Sequence, residues 1–156
     1  MIKIGNDIRK FSTYSCKPKS REELCEIIYD RIREKGHNCD LNDIDTSLIE
    51  DMSKLFLHST FNGNISKWNV SNVTDMSEMF ADSFFNGDIS EWNVSNVLDM
   101  SLMFIGSLFN QDISNWNIHE HCNTFYMFNN CKIADKFIPT KQMYARQFAS
   151  ARLEIK

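Results

Sequence analysis

The three tryptophans of this chain, Trp68, Trp92 and Trp116, stand 24 residues apart in near-copies of one phrase: FNGNISKWNVSN from Phe61, FNGDISEWNVSN from Phe85 and FNQDISNWNIHE from Phe109. Self-similarity at a period of roughly 20–50 residues marks solenoids and arrays, and it points toward binding rather than catalysis. Subtracting the period uncovers a weaker copy, with Leu41, Ile44 and Thr46 standing where Ile65, Trp68 and Val70 stand later. Met52, Met76 and Met100 keep the same register, as do Phe56, Phe80, Phe104 and Phe128, and Met79, Met103 and Met127. The repeating part therefore spans 37–132.

Each copy carries an apolar spacing, Ile65/Trp68/Val70 for example, that matches a leucine-rich repeat. Its last two positions alternate, which places tryptophan and valine on one side of a strand. In the second half of each copy, Asp75 with Glu78 three residues later reads as a helix cap, so a short helical turn is expected, and Asp51 and Asp99 take the same duty. Gly63 and Gly87 supply bends with positive φ, with Gln111 a tolerated exception.

Stacked repeats need covers at both ends. Ser20-Arg-Glu-Glu23 is a capping box, and Leu24, Ile27, Ile28 and Ile32 at helical spacing predict a helix over 21–35 that ends at Gly36. With a short strand around Ile2–Ile8, residues 1–36 form the amino-terminal cap. Residues 133–156 form a helical carboxyl-terminal cap through Met143, Tyr144, Phe148 and Ala151. The expected fold class is α/β: one domain, a short leucine-rich-repeat-like solenoid of about four repeats between these caps.

With 42% apolar residues the chain fills a continuous core, and its formal charge of −4 disfavours direct nucleic-acid binding. No apolar run reaches signal-peptide or membrane-span length, so the expected location is the cytoplasm, with no membrane partner. The five cysteines, Cys16, Cys25, Cys39, Cys122 and Cys131, lack C-x-x-C spacing and fit reduced thiols.

From Trp68 to Phe104, WNVSNVTDMSEMFADSFFNGDISEWNVSNVLDMSLMF, the chain resembles the BspA-like leucine-rich-repeat proteins of bacteria. The resemblance covers roughly 40–130 and includes the lead-in LNDIDTSLIEDMSKLF from Leu41. It implies a right-handed solenoid and a protein-binding role. Many members are large secreted surface proteins that contact host matrix or other cells. Small leaderless members look cytosolic, some of them carried by phage or other mobile elements.

No nucleophile elbow, phosphate-cradling loop or paired carboxylate in an apolar setting appears, so no catalytic residue and no cofactor is expected. His119-Glu-His-Cys122 is the one metal-like cluster, but its spacing fits no standard zinc module and it reads as the repeat decaying toward its cap. The Asn-x-Ser/Thr matches at Asn64, Asn69, Asn72 and Asn93 are by-products of the repeat. The asparagine row Asn62, Asn86 and Asn110 reads as a ladder between neighbouring copies.

What remains is a non-enzymatic protein-interaction module. The expected contact residues are the outward positions of each strand, Lys67 and Asn69, Glu91 and Asn93, Asn115 and Asn117, which vary in charge while the apolar positions beside them stay fixed. A rival site is the third copy's aliphatic set, Leu98, Leu102, Ile105 and Leu108, which replaces Thr74, Glu78, Ala81 and Phe84. It is covered by the carboxyl-terminal helix or serves a partner, including a second copy in a homodimer. The alternative functions are an inhibitor of phage or mobile-element origin that blocks a host enzyme such as a nuclease, and a surface adhesin.

Overall fold

The computed structural model describes residues 14–140, so the expected strand at Ile2–Ile8 and the expected helix of Met143, Tyr144, Phe148 and Ala151 lie outside the described residues. The helix α1 runs Arg21–Lys35 as expected. Ser20 accepts from the Glu23 amide at 3.2 Å, while the Glu23 carboxylate takes the Lys19 amide at 2.8 Å rather than the serine's. Gly36, at φ 85°, closes the helix, and its N–H donates to the Ile32 carbonyl. Leu24 and Ile28 are buried against the core that follows, and the Arg21 guanidinium donates to the Ser53 carbonyl at 2.7 Å.

Beyond α1 the structure corrects the α/β reading and the solenoid of about four repeats between helical caps. The only other element among the described residues is a 3-10 turn, Asp135–Phe137, and pairing between segments is limited to isolated parallel bridges such as Asp51–Asp75 and Asp75–Asp99. There is no β-sheet among these residues. The expected strand at Ile65–Val70 is broken by turns, since the Trp68 amide folds back to Ile65 at 3.1 Å and the Val73 amide to Val70 at 3.0 Å.

The expected helical turn after Asp75 is also absent, and the reason is where the amides point. A helix sends each N–H to the carbonyl four residues earlier. Here the amides of Met79, Ala81 and Ser83 fold back three residues instead, to Met76, Glu78 and Phe80. The alternate amides of Met76, Glu78, Phe80 and Asp82 donate across to the carbonyls of Asp99, Ser101, Met103 and Ile105. Asp75 accepts from the Ser77 amide at 2.8 Å, an Asx turn rather than a helix cap. Every N–H from Met76 to Phe84 thus has an acceptor without a helix or a sheet.

The same pattern links Met52, Lys54, Phe56 and His58 to Asp75, Ser77, Met79 and Ala81, and links Met100, Leu102, Phe104 and Gly106 to Asn123, Phe125, Met127 and Asn129. What the period produces, then, is lateral contact between tiers 24 residues apart. Two left-handed positions per tier turn the chain: Lys54, Glu78, Leu102 and Tyr126 in one column, and His58, Asp82, Gly106 and Asn130 in the other. Each of the two columns supplies the third residue of a four-residue turn, where positive φ is required. Gly63 and Gly87 are not among the positive-φ residues, contrary to expectation. Gly63 is small for another reason, because a Cβ there would lie 2.0 Å from the Cys39 carbonyl oxygen.

Aromatic columns fill the space between tiers. Trp68, Trp92 and Trp116 stack with centroids 6.5 Å apart, as equal spacing demands. Phe56, Phe80, Phe104 and Phe128 form a second column, at 5.5 to 5.8 Å, and Phe61, Phe85 and Phe109 a third. Each indole N–H reaches the preceding tier, with Trp68 donating to Leu41, Trp92 to Ile65 and Trp116 to Ile89. The buried polar end of each tryptophan is therefore satisfied.

Candidate interaction surface

Most of the recurrent polar side chains are occupied in holding the tiers. Asn62 accepts from the Asn86 amide, Asn86 from Asn110 and Asn110 from Ala134, each at 2.8 Å, which is the ladder expected for that row. Asn72 and Asn96 donate to the Ser47 and Ser71 carbonyls of the tier before. Within the predicted contact row, Asn69 and Asn93 are exposed, but each carboxamide oxygen accepts from the backbone and hydroxyl of Ser71 or Ser95. Asn117 is exposed too, with His119 standing where those serines stand. Lys67, Glu91 and Asn115 are exposed, and among the described residues no hydrogen bond or ion pair engages their side chains.

The rival set divides. Leu98 and Leu108 are 51% and 45% exposed, whereas Leu102 and Ile105 are half-buried. The sequence reading missed their neighbours Phe84, Phe125 and Tyr126, which are 55%, 63% and 47% exposed. The period itself held the signal, because Phe84 occupies the column of Leu108, and Tyr126 that of Leu102. In the two earlier tiers this second column carries Lys54 and Glu78, an ion pair at 3.4 Å. It changes to leucine and tyrosine without any change of backbone, since all four residues keep positive φ.

Two carboxylates at the α1 end are engaged in local contacts. Asp43 takes hydrogen bonds from Ser15 and an ion pair from Arg31 at 2.9 Å. Burial pushes its carboxyl up, but the Ser15 and Arg31 contacts outweigh this and hold it below the usual range. Asp45 is lowered in the same way, burial being outweighed by Ser47 and by Lys17 at 2.9 Å. At the other end, burial and then the Asp99 charge push the Cys122 thiol up to about 11. His119 and His121 lie 5.6 Å apart, and among the described residues no three His, Cys, Asp or Glu side chains are grouped to hold a metal. No helix among these residues is long and apolar enough to cross a membrane.

Residues 26–140 match the family described as "Mycoplasma protein of unknown function, DUF285". The chain belongs to this family. The match takes in most of α1 and all the tiers from Leu41 onward, so the hydrogen-bonding scheme described above lies within the DUF285 region. No curated protein and no solved structure matches the chain.

Proposed function

We propose that this DUF285 chain is a non-enzymatic protein-interaction module that uses the exposed apolar residues Phe84, Leu98, Leu108, Phe125 and Tyr126, with Leu102 and Ile105 at their edge. One observation carries the reading: the column that bears the Lys54–Glu78 ion pair in the earlier tiers bears Leu102 and Tyr126 in the later ones. Core packing does not call for the change from Glu78 to Leu102, because the buried neighbours are equivalent in those two tiers, Met76, Met79 and Phe80 in one and Met100, Met103 and Phe104 in the other. Full burial of an exposed leucine or phenylalanine contributes about 1.5–3 kcal/mol, and these half-exposed residues retain roughly half of that each for a partner to gain. The resemblance to BspA-like sequences points the same way. All five cysteines are free, which supports a reducing compartment and hence the cytoplasm.

The test is affinity purification from the source cells with wild type and a Leu98→Glu/Leu108→Glu variant. A partner retained by wild type and lost by the variant, with an unchanged thermal midpoint, is the expected result. Equal recovery by both would remove the apolar surface from consideration. The unengaged side chains of Lys67, Glu91 and Asn115 favour a second reading, in which that row meets the partner, and a Lys67→Glu/Glu91→Lys variant separates the two.

A further inference from the structure

The scheme that joins the tiers has an end. In three successive tiers, alternate amides donate to the tier that follows: those of Met52, Lys54, Phe56 and His58, then of Met76, Glu78, Phe80 and Asp82, then of Met100, Leu102, Phe104 and Gly106. The equivalent residues of the last tier are Thr124, Tyr126, Phe128 and Asn130. Its backbone repeats the earlier conformation, with Tyr126 and Asn130 at φ 51° and 53°, and with the Met127, Asn129 and Cys131 amides folded back three residues. The alternate amides must therefore point along the same axis as their predecessors. Among the described residues, none of the four has an acceptor. Phe128 is itself buried, while Tyr126 and Asn130 are exposed and Thr124 half-buried.

We propose that this row is a docking edge for a polypeptide segment of another protein that takes the turned path of the tiers and adds to the last one by offering alternate backbone carbonyls. Unpaired backbone edges are templates for another chain, and pairing there gives affinity through the main chain while neighbouring side chains give selectivity. Phe125 and Tyr126, in edge-to-face contact at 4.1 Å, stand beside the row to supply that selectivity. The row consists of donors only, so the occupant must bring acceptors at two-residue spacing. Two copies of this chain joined end to end would set donors against donors. A head-to-tail copy meets α1, which covers the first tier and whose Arg21 already occupies the Ser53 carbonyl. Neither pairing of two copies suits the row, and the occupant proposed is the backbone of another protein.

The inference rests on the protein-binding reading and shares Phe125 and Tyr126 with that surface, but its defining contacts are the backbone amides of the last tier and not the side chains of Leu98 and Leu108. The probe is a synthetic peptide with the sequence of residues 75–84, whose alternate carbonyls already serve this role within the fold for Met52, Lys54, Phe56 and His58. Residue-resolved amide exchange is measured on the full chain. Without peptide, Thr124, Tyr126 and Asn130 should exchange fast while Met100, Leu102, Phe104 and Gly106 are protected. Peptide should slow the three by about tenfold or more.

No slowing overturns the proposal. So does protection in the peptide-free chain at low concentration, which would mean that residues 141–156 cover the edge. Protection that grows with protein concentration would assign the edge to a second copy and overturn it equally. Leu98→Glu should leave the peptide effect intact, so failure here beside a retained, Leu98-dependent partner would sink the edge alone.

Discussion

The indole N–H of Trp92 donates to the carbonyl oxygen of Ile65, 3.2 Å away in the preceding tier, and that same oxygen also accepts the Trp68 amide. One carbonyl thus ties together a turn within its tier and a side chain from the next. Trp92→Phe keeps much of the ring stack but removes the donor, and should lower stability by about 1 kcal/mol. Trp92→Ala also opens a cavity between Trp68 and Trp116 and should cost about 3–5 kcal/mol. Chemical denaturation measures both, and equal losses for the two variants would show that the hydrogen bond, not the stack, dominates.

Glycine replacement separates space from conformation. A Cβ at Gly63 would meet the Cys39 carbonyl oxygen at 2.0 Å, whereas at Gly87 the nearest atoms belong to the Phe85 ring at 2.8 and 2.9 Å. Backbone yields less readily than a ring edge, so Gly63→Ala should cost about 2–3 kcal/mol and Gly87→Ala about 1 kcal/mol. The reverse order of thermal midpoints would contradict this account of the Gly63 position.

How far the sequence is legible follows from these same residues. The period identified the Trp68–Trp92–Trp116 column, because equal intervals give equivalent places whatever the local conformation. It did not identify the conformation itself. Asp75 followed by Glu78 satisfies the pattern of a helix cap, yet the alternate amides after Asp75 find acceptors in the neighbouring tier, a choice that no local window contains. Gly63 was misread for a related reason: its constraint is the Cys39 oxygen, which lies far along the chain. In the candidate surface, Leu98 and Leu108 were readable as departures from the period, while Phe125 and Tyr126 were hidden because the fourth copy departs from it at many positions.

Acid should loosen the α1 end first. Asp43 and Asp45 lie below the usual carboxylate range in the folded chain, so they bind fewer protons folded than unfolded near their titration. Their contribution to stability is complete above the ordinary value of about pH 4 and is lost as pH falls through the lowered folded values. The unfolding midpoint should drop below about pH 4, and Asp43→Asn should flatten that drop. An unchanged acid limb in the variant would deny Asp43 this role.

Thiol chemistry offers an independent check. All five cysteines are free, so five groups should react in denaturant without reductant. In the folded chain Cys122, raised to about 11, holds little thiolate near neutrality. At about pH 8 it should react with alkylating reagents about a hundredfold more slowly than an unperturbed thiol. Asp99→Asn removes the second cause of the shift and should speed the reaction, while burial, the larger cause, remains.

The alternation of amides has a consequence for how such a chain tolerates insertions. From Met76 to Ser83, even-numbered amides bind the neighbour and odd-numbered ones close turns or the Asx link, so each residue's role is fixed by its parity. Inserting one residue before Met79 would exchange the roles of all that follow in the segment, sending Phe80's donor inward and its ring out of the Phe56–Phe104 column. The chain behaves as though it had a reading frame. Its length can change at the connecting bends, or by a whole period, but a single-residue slip within this segment corrupts the remainder of the tier.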